Sequence, residues 1–421
     1  MAYSEQFGAP SEGFVQVGGA CIARRKRGRE ELFLIAVLAI GGLVDLFHLI
    51  KLGEVSLLAM LTIFYAFLSW FLWLAQDRSK RRVSPAVWPF LMFLGWIALS
   101  FIWFRPTVLG MQNFLVLVAF AGILLVSENM MSKATEFPRW VPKTLMAATV
   151  LACVLYAISM FLDGLGSNLV FHARTFATFV LIGMSWLLAG WRYGSRRDLI
   201  WSSVILFLII LSLSRMALAT AALLFPLAWV GGLRRREWVK LAFVGILISA
   251  VVYLAVVNFE PLRDRFTLDA DGASITEEQA SDYTSGRFTY WVVTYASGLE
   301  SPWIGHGAGS SASLISSLYP VDSPLDEYLR IFHDYGLVGL ALFLYAVCKL
   351  LRASWRKWSE AKRLRGPQAR FHLAAFLAAV GVFFPMLTEN SFMYLFMMAP
   401  FAVFLGASLG LRNQADLVIE D

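Results

Sequence analysis

The feature that most constrains this chain is its succession of long apolar segments. Stretches of roughly 17 to 25 predominantly apolar residues, long enough to cross a bilayer as a helix, recur about twelve times. Hydrophobic residues make up 58% of the chain and charged residues only 15%, against roughly a quarter charged in soluble domains. We therefore predict an all-α, polytopic membrane protein with about 12 transmembrane helices. The predicted spans are 32–50, 55–75, 85–104, 107–126, 142–162, 174–191, 199–214, 216–233, 238–257, 333–351, 371–388 and 392–411.

The distribution of positive charge predicts the orientation of these spans. With a cytoplasmic N-terminus, 28 of the 36 Lys and Arg residues fall in cytoplasmic segments and 8 in outer ones. Cytoplasmic loops of membrane proteins carry such an excess. No small-residue cleavage pattern follows the first span, so we expect a retained helix and not a signal peptide. The segments 1–31 and 412–421 are predicted to be cytoplasmic tails, and residues 1–23 and 412–421 are expected to be flexible.

Charge and cysteine content exclude other classes of partner and site. A net charge of +7 would suggest nucleic acid in a soluble protein, but the arginines here lie in short loops between spans, so no nucleic-acid partner is expected. Cys21, Cys153 and Cys348 have no CxxC spacing, so neither a disulfide framework nor a metal site is predicted. The basic segment 352–370 is expected to attract anionic membrane lipids.

A polar segment of about 73 residues, Asn258–Arg330, interrupts the apolar pattern. The charge count places this loop on the extracytoplasmic side. We accordingly divide the chain into spans 1–9 (32–257), an extracytoplasmic loop with short helices that is the candidate active site (258–332), and spans 10–12 (333–411).

The first half of the loop predicts an amphipathic helix. Arg287 lies in its first turn, after a cap at Thr284 or Ser285, where a cation opposes the helix dipole. Two readings follow: an anionic ligand, or a salt bridge to one of the loop's own acids, such as Asp264, Asp282 or Glu300. The apolar residues at helical spacing are Phe288, Trp291, Val292, Tyr295 and Leu299.

The second half predicts a helix that begins at Ser323-Pro324, with a cap followed by proline. Asp326, Arg330 and His333 would share one of its faces, where they could serve as acid/base and anion-binding groups. Alternatively, Asp326 closes a capping box with Ser323 and pairs with Arg330, with no substrate involved.

Further outer residues are candidates for substrate contact. Lys51, Arg105 and Arg174 are explained equally well by snorkelling at span ends. Arg215 is harder to explain in that way, because its outer turn is very short. The glycines of Gly305-His-Gly-Ala-Gly309 favour a tight loop in which His306 could face a ligand, and Glu389 is an outer carboxylate without an assigned role.

Several of these motifs, taken in order, resemble the O-antigen ligase and polymerase superfamily. The resemblance is best over about residues 199–345. The motifs that carry it are Ser214-Arg215, Ser285-Gly-Arg287, Gly305-His-Gly-Ala-Gly309, Asp326-Glu-Tyr-Leu329 and Gly336-Leu-Val-Gly339.

The resemblance implies a glycosyltransferase of the multi-span, GT-C-like class in the bacterial inner membrane, with a periplasmic active site. The donor would be an undecaprenyl-diphosphate-linked oligosaccharide, and no cofactor, metal or nucleotide sugar would be needed. Membrane lipids, a chain-length regulator and a flippase are the expected partners. Arg215 and Arg287 would bind the diphosphate, and the further candidates for substrate contact are Arg105, Arg174, His306 and Arg330.

One position departs from the ligases of that family. They place a His-Asn or similar pair where this chain has Leu325-Asp326, eleven residues before Gly336. The chain is therefore more similar to the O-antigen or exopolysaccharide polymerase branch. Asp326 is our first candidate for the catalytic base, followed by Glu327, His333 and His306. The alternatives are an O-antigen ligase acting on lipid A-core or protein and, from another class, a multi-span transporter or flippase.

Overall fold

The computed structural model describes most of the chain. The described ranges are 14–17, 20–23, 28–41, 50–52, 55–76, 81–131, 137–166, 171–229, 287–321, 323–364 and 368–411, with scattered single residues. Most of the ninth predicted span (238–257), most of the loop before Arg287 and the tail 412–421 lie outside the described residues.

Helices dominate the described residues, and we number them α1–α13 in chain order. They are α1 Arg29–Gly41, α2 Leu57–Leu74, α3 Trp88–Ser100, α4 Val108–Met131, α5 Phe137–Asp163, α6 Ala173–Arg192, α7 Arg196–Leu211, α8 Arg215–Leu227, α9 Arg287–Gly298, α10 Ser310–Leu318, α11 Glu327–Arg363, α12 Ala369–Phe383 and α13 Leu395–Gly410. Two short 3₁₀ turns, Pro385–Leu387 and Ser391–Met393, connect α12 to α13.

The described helices overlap every predicted span except 238–257, most of which lies outside the described residues. Six of the described helices are long and apolar enough to cross a membrane, and three shorter ones are also apolar. Helix α1 ends at Gly41, and most of the remainder of the first predicted span lies outside the described residues. The segment 352–370, expected as a loop, is helical as far as Arg363.

Strands are a small exception to the predicted all-α fold. Phe14–Val17 (β1) pairs antiparallel with Ala20–Ala23 (β2), and Lys51–Leu52 (β3) pairs antiparallel with Val55–Ser56 (β4). The first hairpin lies in the tail that we expected to be flexible, and the second lies just before α2. Hairpins this short contribute little to the architecture, which remains a helical bundle.

The centre of the bundle is formed by α4, α6, α12 and α13. The apolar stretch of α6 is buried over 89% of its length, whereas that of α2 is buried over only 28%. A helix that is apolar and buried on all sides belongs in the interior, and one that exposes an apolar face faces lipid in a membrane protein. The peripheral helices therefore present lipid-facing surfaces.

Small residues let the central helices approach closely. A Cβ at Gly406 of α13 would lie 2.3 Å from the carbonyl oxygen of Leu124 in α4, and one at Gly410 would lie 1.9 Å from that of Glu128. Ser127 of α4 donates a hydrogen bond of 2.7 Å to the carbonyl oxygen of Val403. Close backbone contact and interhelical hydrogen bonds of this kind hold helices together where water provides no hydrophobic driving force.

The long helix α11 is interrupted at Gly336, which has φ 68° and ψ −171°. This conformation is essentially restricted to glycine. The interruption lets the turn after α9 pack against α11, since Leu337 N donates to the carbonyl oxygen of Pro302 at 2.7 Å and Val338 N to that of Trp303 at 3.3 Å. The residues of α11 before Gly336 form a short helical segment, and those after it form the long part of the helix.

We expect Gly336→Ala to destabilise the protein. A Cβ at this position would lie 2.2 Å from the carbonyl oxygen of Trp303, and the backbone strain alone costs roughly 1–3 kcal/mol. The melting temperature of purified protein in detergent should fall measurably. Gly95→Ala in α3 is the matched control, because a Cβ there meets nothing within 4 Å and helix propensity favours alanine by roughly 1 kcal/mol. Equal melting temperatures for the two variants would contradict the assigned role of Gly336.

Candidate functional site

Three arginines from distant parts of the sequence line one cavity at an end of the bundle. The cavity has a volume of about 270 Å³. Arg174 comes from the first turn of α6, Arg215 begins α8 and Arg287 begins α9. The structure thus brings together the two predicted diphosphate ligands and one of the further substrate candidates. The other lining residues are Gly166, His172, Ala173, Ser212, Leu213, Ser214, Met216 and Glu389.

The ends of the helices add to the positive character of this cavity. Arg174, Arg215 and Arg287 all lie in the first turns of their helices, so the N-termini of α6, α8 and α9 meet there. Each N-terminus carries a partial positive charge from the helix dipole. Ser214 makes no side-chain capping hydrogen bond at the start of α8. Backbone N–H groups and guanidinium groups directed at one space form a site suited to a multiply charged anion such as a diphosphate.

The partner of Arg287 is Glu389, which lies between α12 and α13. Arg287 Nη2 is 3.0 Å from Glu389 Oε1, and both side chains are largely buried, with 13% and 6% of their surfaces exposed. The predicted pairing with Glu300 is wrong, and Asp264 and Asp282 lie outside the described residues. Arg287 Nε is buried and has no hydrogen-bond partner among the described residues. Among the described residues that line the cavity there are three guanidinium groups and one carboxylate.

The helix that carries the candidate base begins later than predicted. Asp326 is the N-cap of α11 and accepts a hydrogen bond from Leu329 N at 2.9 Å. Our prediction of a helix start at Pro324 with Ser323 as the cap is wrong, because Leu325 adopts φ 54° and breaks the helical path between them. Burial raises the pKa of Asp326 to about 6, although the hydrogen bond from Leu329 works in the opposite direction.

A polar connection leads from the cavity to the start of α11. Glu389, in the cavity, is followed by Asn390, whose Nδ2 donates to Ser323 Oγ. Ser323 precedes Asp326 by three residues. Asp326 itself lies outside the cavity lining, but this contact fixes its segment beside the arginine that Glu389 holds.

The remaining predicted acid/base residues belong to a buried ionic network. Arg330 pairs with Glu327 through Nε at 3.1 Å and through Nη2, and its Nη1 is 3.6 Å from Asp334 Oδ2. Arg330 therefore pairs with Glu327 and Asp334, and not with Asp326 as predicted. His333 Nδ1 is 3.2 Å from Asp334 Oδ1. All four side chains of this network are buried, so none is exposed for substrate.

Asp334 also fixes the glycine loop that precedes α10. Its carboxylate accepts hydrogen bonds from Gly309 N at 3.1 Å, Ser311 N at 2.9 Å and Ser310 Oγ at 3.0 Å. Gly305, Gly307 and Gly309 all have positive φ values, which confirms the predicted tight loop. The network and the loop thus form one support structure.

The two histidines lie within that support and outside the cavity. Their rings stack at 4.8 Å between centroids, His306 on His333. His306 Nε2 is 2.8 Å from the carbonyl oxygen of Ser297, and His333 Nε2 is 3.2 Å from Ser297 Oγ. Both histidines therefore connect α9 to α11. Arg105, another predicted substrate candidate, is exposed and lies outside the cavity.

Two strained leucines adjoin the candidate residues. Among the described residues, the non-glycine positions with positive φ are Leu213 at 56° and Leu325 at 54°. Leu213 lines the cavity two residues before Arg215, and Leu325 immediately precedes Asp326. Such backbone strain is costly for leucine and concentrates at functional sites. Sequence reasoning missed this feature and also His172, whose only signal is its closeness to Arg174.

Comparison with known protein families gives a match to part of the chain. A family model described as O-Antigen ligase matches residues 199–344. The matched region contains Arg215, Arg287 and Asp326, whereas Arg174 and Glu389 lie outside it. A search of curated proteins found no match. Over this third of its length the chain is similar to the O-antigen ligase family, which supports a place in the ligase and polymerase superfamily and a glycosyltransferase-like activity in general.

Proposed function

We propose that this protein is a polysaccharide repeat-unit polymerase of the bacterial inner membrane. It would transfer glycan from an undecaprenyl-diphosphate donor to a lipid-linked glycan acceptor at the periplasmic face. The observation that carries the proposal is the cavity in which Arg174, Arg215 and Arg287 converge at three helix N-termini. A planar guanidinium binds phosphate oxygens in pairs, so three of them are suited to the several oxygens of a diphosphate.

The reaction exchanges one bond at the donor sugar for another. A hydroxyl oxygen of the acceptor attacks the anomeric carbon, and the bond from that carbon to the phosphate oxygen breaks. The diphosphate leaves with the bonding electron pair, so negative charge grows on its oxygens in the transition state. The arginines stabilise this developing charge, which lowers the barrier more than binding the ground state does. The hydroxyl proton passes to a carboxylate.

Asp326 is the residue that we assign to accept this proton. Its pKa of about 6 makes it a stronger base than an ordinary aspartate, while it remains largely ionised at neutral pH. Glu327 and His333 are poorer candidates, because Glu327 is buried against Arg330 and His333 is enclosed between Ser297, Ser310 and Asp334.

Glu389 acts in this scheme as a positioning residue. It holds the Arg287 guanidinium at the cavity when no anion is bound, and one Arg287 nitrogen, Nε, stays without a partner there. A single carboxylate compensates only part of the charge of three arginines, so a diphosphate still gains from entering the cavity.

The cavity arginines are open to direct test. We expect Arg215→Ala and Arg287→Ala each to lower the rate of glycan transfer by roughly 10²–10³-fold, the usual cost of losing one group that stabilises charge in a transition state. The measurement is extension of purified lipid-linked oligosaccharide by purified protein. Arg215→Lys should recover only part of the activity, because lysine lacks the planar fork.

The control for these variants is Arg356→Ala. Arg356 lies late in α11, is largely exposed and pairs with Glu360 on the protein surface, so its loss should leave the rate unchanged. Correct insertion and melting temperature are checked for every variant. Unchanged product length and yield in correctly inserted Arg215→Ala and Arg287→Ala protein would refute the assignment of the cavity.

The role of Asp326 is tested by Asp326→Asn. Asparagine caps helices about as well as aspartate, so the variant should keep its melting temperature, whereas the rate should fall by roughly 10²–10⁴-fold. In the unchanged protein, kcat/KM should fall as the pH drops through about 6, because Asp326 becomes protonated. If kcat/KM of the Asp326→Asn protein still falls with the same pH midpoint as in the unchanged protein, another group is the base.

An O-antigen ligase is the second candidate, favoured by the description of the matching family. Polymerase function is favoured by Leu325-Asp326, which stands where family ligases have a His-Asn or similar pair. Deleting the gene separates the two functions. We expect long chains to disappear while single repeat units remain attached to their final acceptor. Lipid-linked polymer that accumulates unattached would instead identify a ligase.

A further inference from the structure

Helix α9 has an unusual polarity, because the residues that it buries fully are small or polar, whereas several of its larger apolar residues are exposed. Thr294 and Gly298 are buried. Val292, Tyr295 and Leu299 are exposed over 49%, 54% and 52% of their surfaces. Their spacing of three, four and seven residues places these apolar side chains on one helical face. In water, a surface helix would show the opposite arrangement.

Specific contacts fix α9 in this orientation. A Cβ at Gly298 would lie 2.7 Å from Phe332 Cε1, so only a residue without a side chain fits against α11 at this point. On the same side, Ser297 Oγ is 3.2 Å from His333 Nε2, and the carbonyl oxygen of Ser297 is 2.8 Å from His306 Nε2. Rotating the helix to bury its apolar face would break all of these contacts.

The neighbouring helix α10 has the ordinary polarity of a helix that faces water. Its buried residues include Ala312 and Ile315, and its exposed residues include Ser313, Ser316 and Ser317. Both helices belong to the same outer part of the protein. The inverted polarity is therefore a property of α9 and not of the whole region.

The exposed apolar face of α9 continues onto the ends of two spans. In the turn that follows α9, Trp303 is 67% exposed. This turn is hydrogen-bonded to the beginning of the span in α11, where Leu337 is also exposed. Ile102, just after α3, is exposed as well. The turn after α9 and the beginning of the span in α11, which are hydrogen-bonded to each other, thus both expose apolar side chains.

We propose that the segment Arg287–Ile304 lies in the membrane interface, with the outward face of α9 inserted into the leaflet at the cavity end of the bundle. An amphipathic helix lying in the membrane plane buries its apolar face at the boundary between headgroups and acyl chains. Tyr295 and Trp303 are the aromatic residue types found at this depth. Glu300, at the edge of the face on a helical projection, can reach the headgroups.

Membrane contact would hold Arg287 at the depth of lipid phosphate groups. Arg287 begins α9, so a helix embedded along its outer face fixes its first residue at the same level. A lipid-linked anion could then enter the cavity sideways from the leaflet. The proposal of membrane contact rests on the exposed surface of α9. It is therefore tested separately from the reaction proposed above.

Spin labelling tests the proposal on the full-length protein. Nitroxide labels are placed at Val292→Cys and Leu299→Cys after the native cysteines are replaced by alanine. The protein is reconstituted into vesicles of phosphatidylethanolamine and phosphatidylglycerol. Collision rates of each label are measured with oxygen, which concentrates among acyl chains, and with a water-soluble nickel chelate. Two positions are labelled because, if a label at one of them perturbs folding, the label at the other still reports the environment of the helix.

Two labels provide the scale for the result. Phe67→Cys in α2 marks a lipid-facing position, and Ser316→Cys in α10 marks a water-facing one. We expect the oxygen-to-nickel ratio at 292 and 299 to exceed that at 316 clearly and to approach that at 67, because an interfacial helix inserts its apolar face among the acyl chains near the headgroups. A ratio like that at 316 would overturn the proposal by showing a water-facing helix. Low collision rates with both reagents would also overturn it, by showing that protein covers this face.

Discussion

The hydrogen bonds and ion pairs of the Asp334 carboxylate hold together the glycine loop, α10 and α11. It accepts hydrogen bonds from Gly309, Ser310 and Ser311 and lies beside Arg330 and His333. A buried ion costs several kcal/mol of solvation unless its partners are well placed. Here the partners come from two segments, α11 and the glycine loop, so that satisfying the charge also fixes the loop. Through His333 and Ser297 the same network reaches α9, whose first residue is Arg287.

The candidate site is assembled at helix ends, and the membrane environment explains why. Charged side chains within the hydrocarbon are expensive, whereas at a helix N-terminus they lie near the surface and add to the dipole. Arg174, Arg215 and Arg287 occupy such positions on three helices, and Glu389 lies in the irregular connection between α12 and α13. Like charges repel, so the positions of these arginines depend on the fold as well as on the pair between Arg287 and Glu389.

Much of the bundle and part of the site could be predicted from sequence, because both depend on local signals. Apolar length predicts spans, glycine clusters predict tight loops, and an arginine in a first turn signals an anionic neighbour. The partner of Arg287 could not be predicted in this way, because Glu389 lies 102 residues further along the chain. The start of α11 was predicted at Pro324, but Leu325 takes a left-handed conformation that leucine gives no reason to expect. Tertiary contacts decide both features.

Helix α9 shows a different limit, since its amphipathic pattern was predicted but the direction of its apolar face was not. A period of 3.6 residues shows that such a face exists, and it does not distinguish a protein core from a lipid surface. The direction follows from what the other face contacts. Gly298 and Ser297 are the residues that fit against Phe332 and His333, so the apolar side chains are directed outward. The contacts of Ser297 and Gly298 with α11 thus direct the apolar face of α9 outward, where insertion into a membrane would make its exposure favourable.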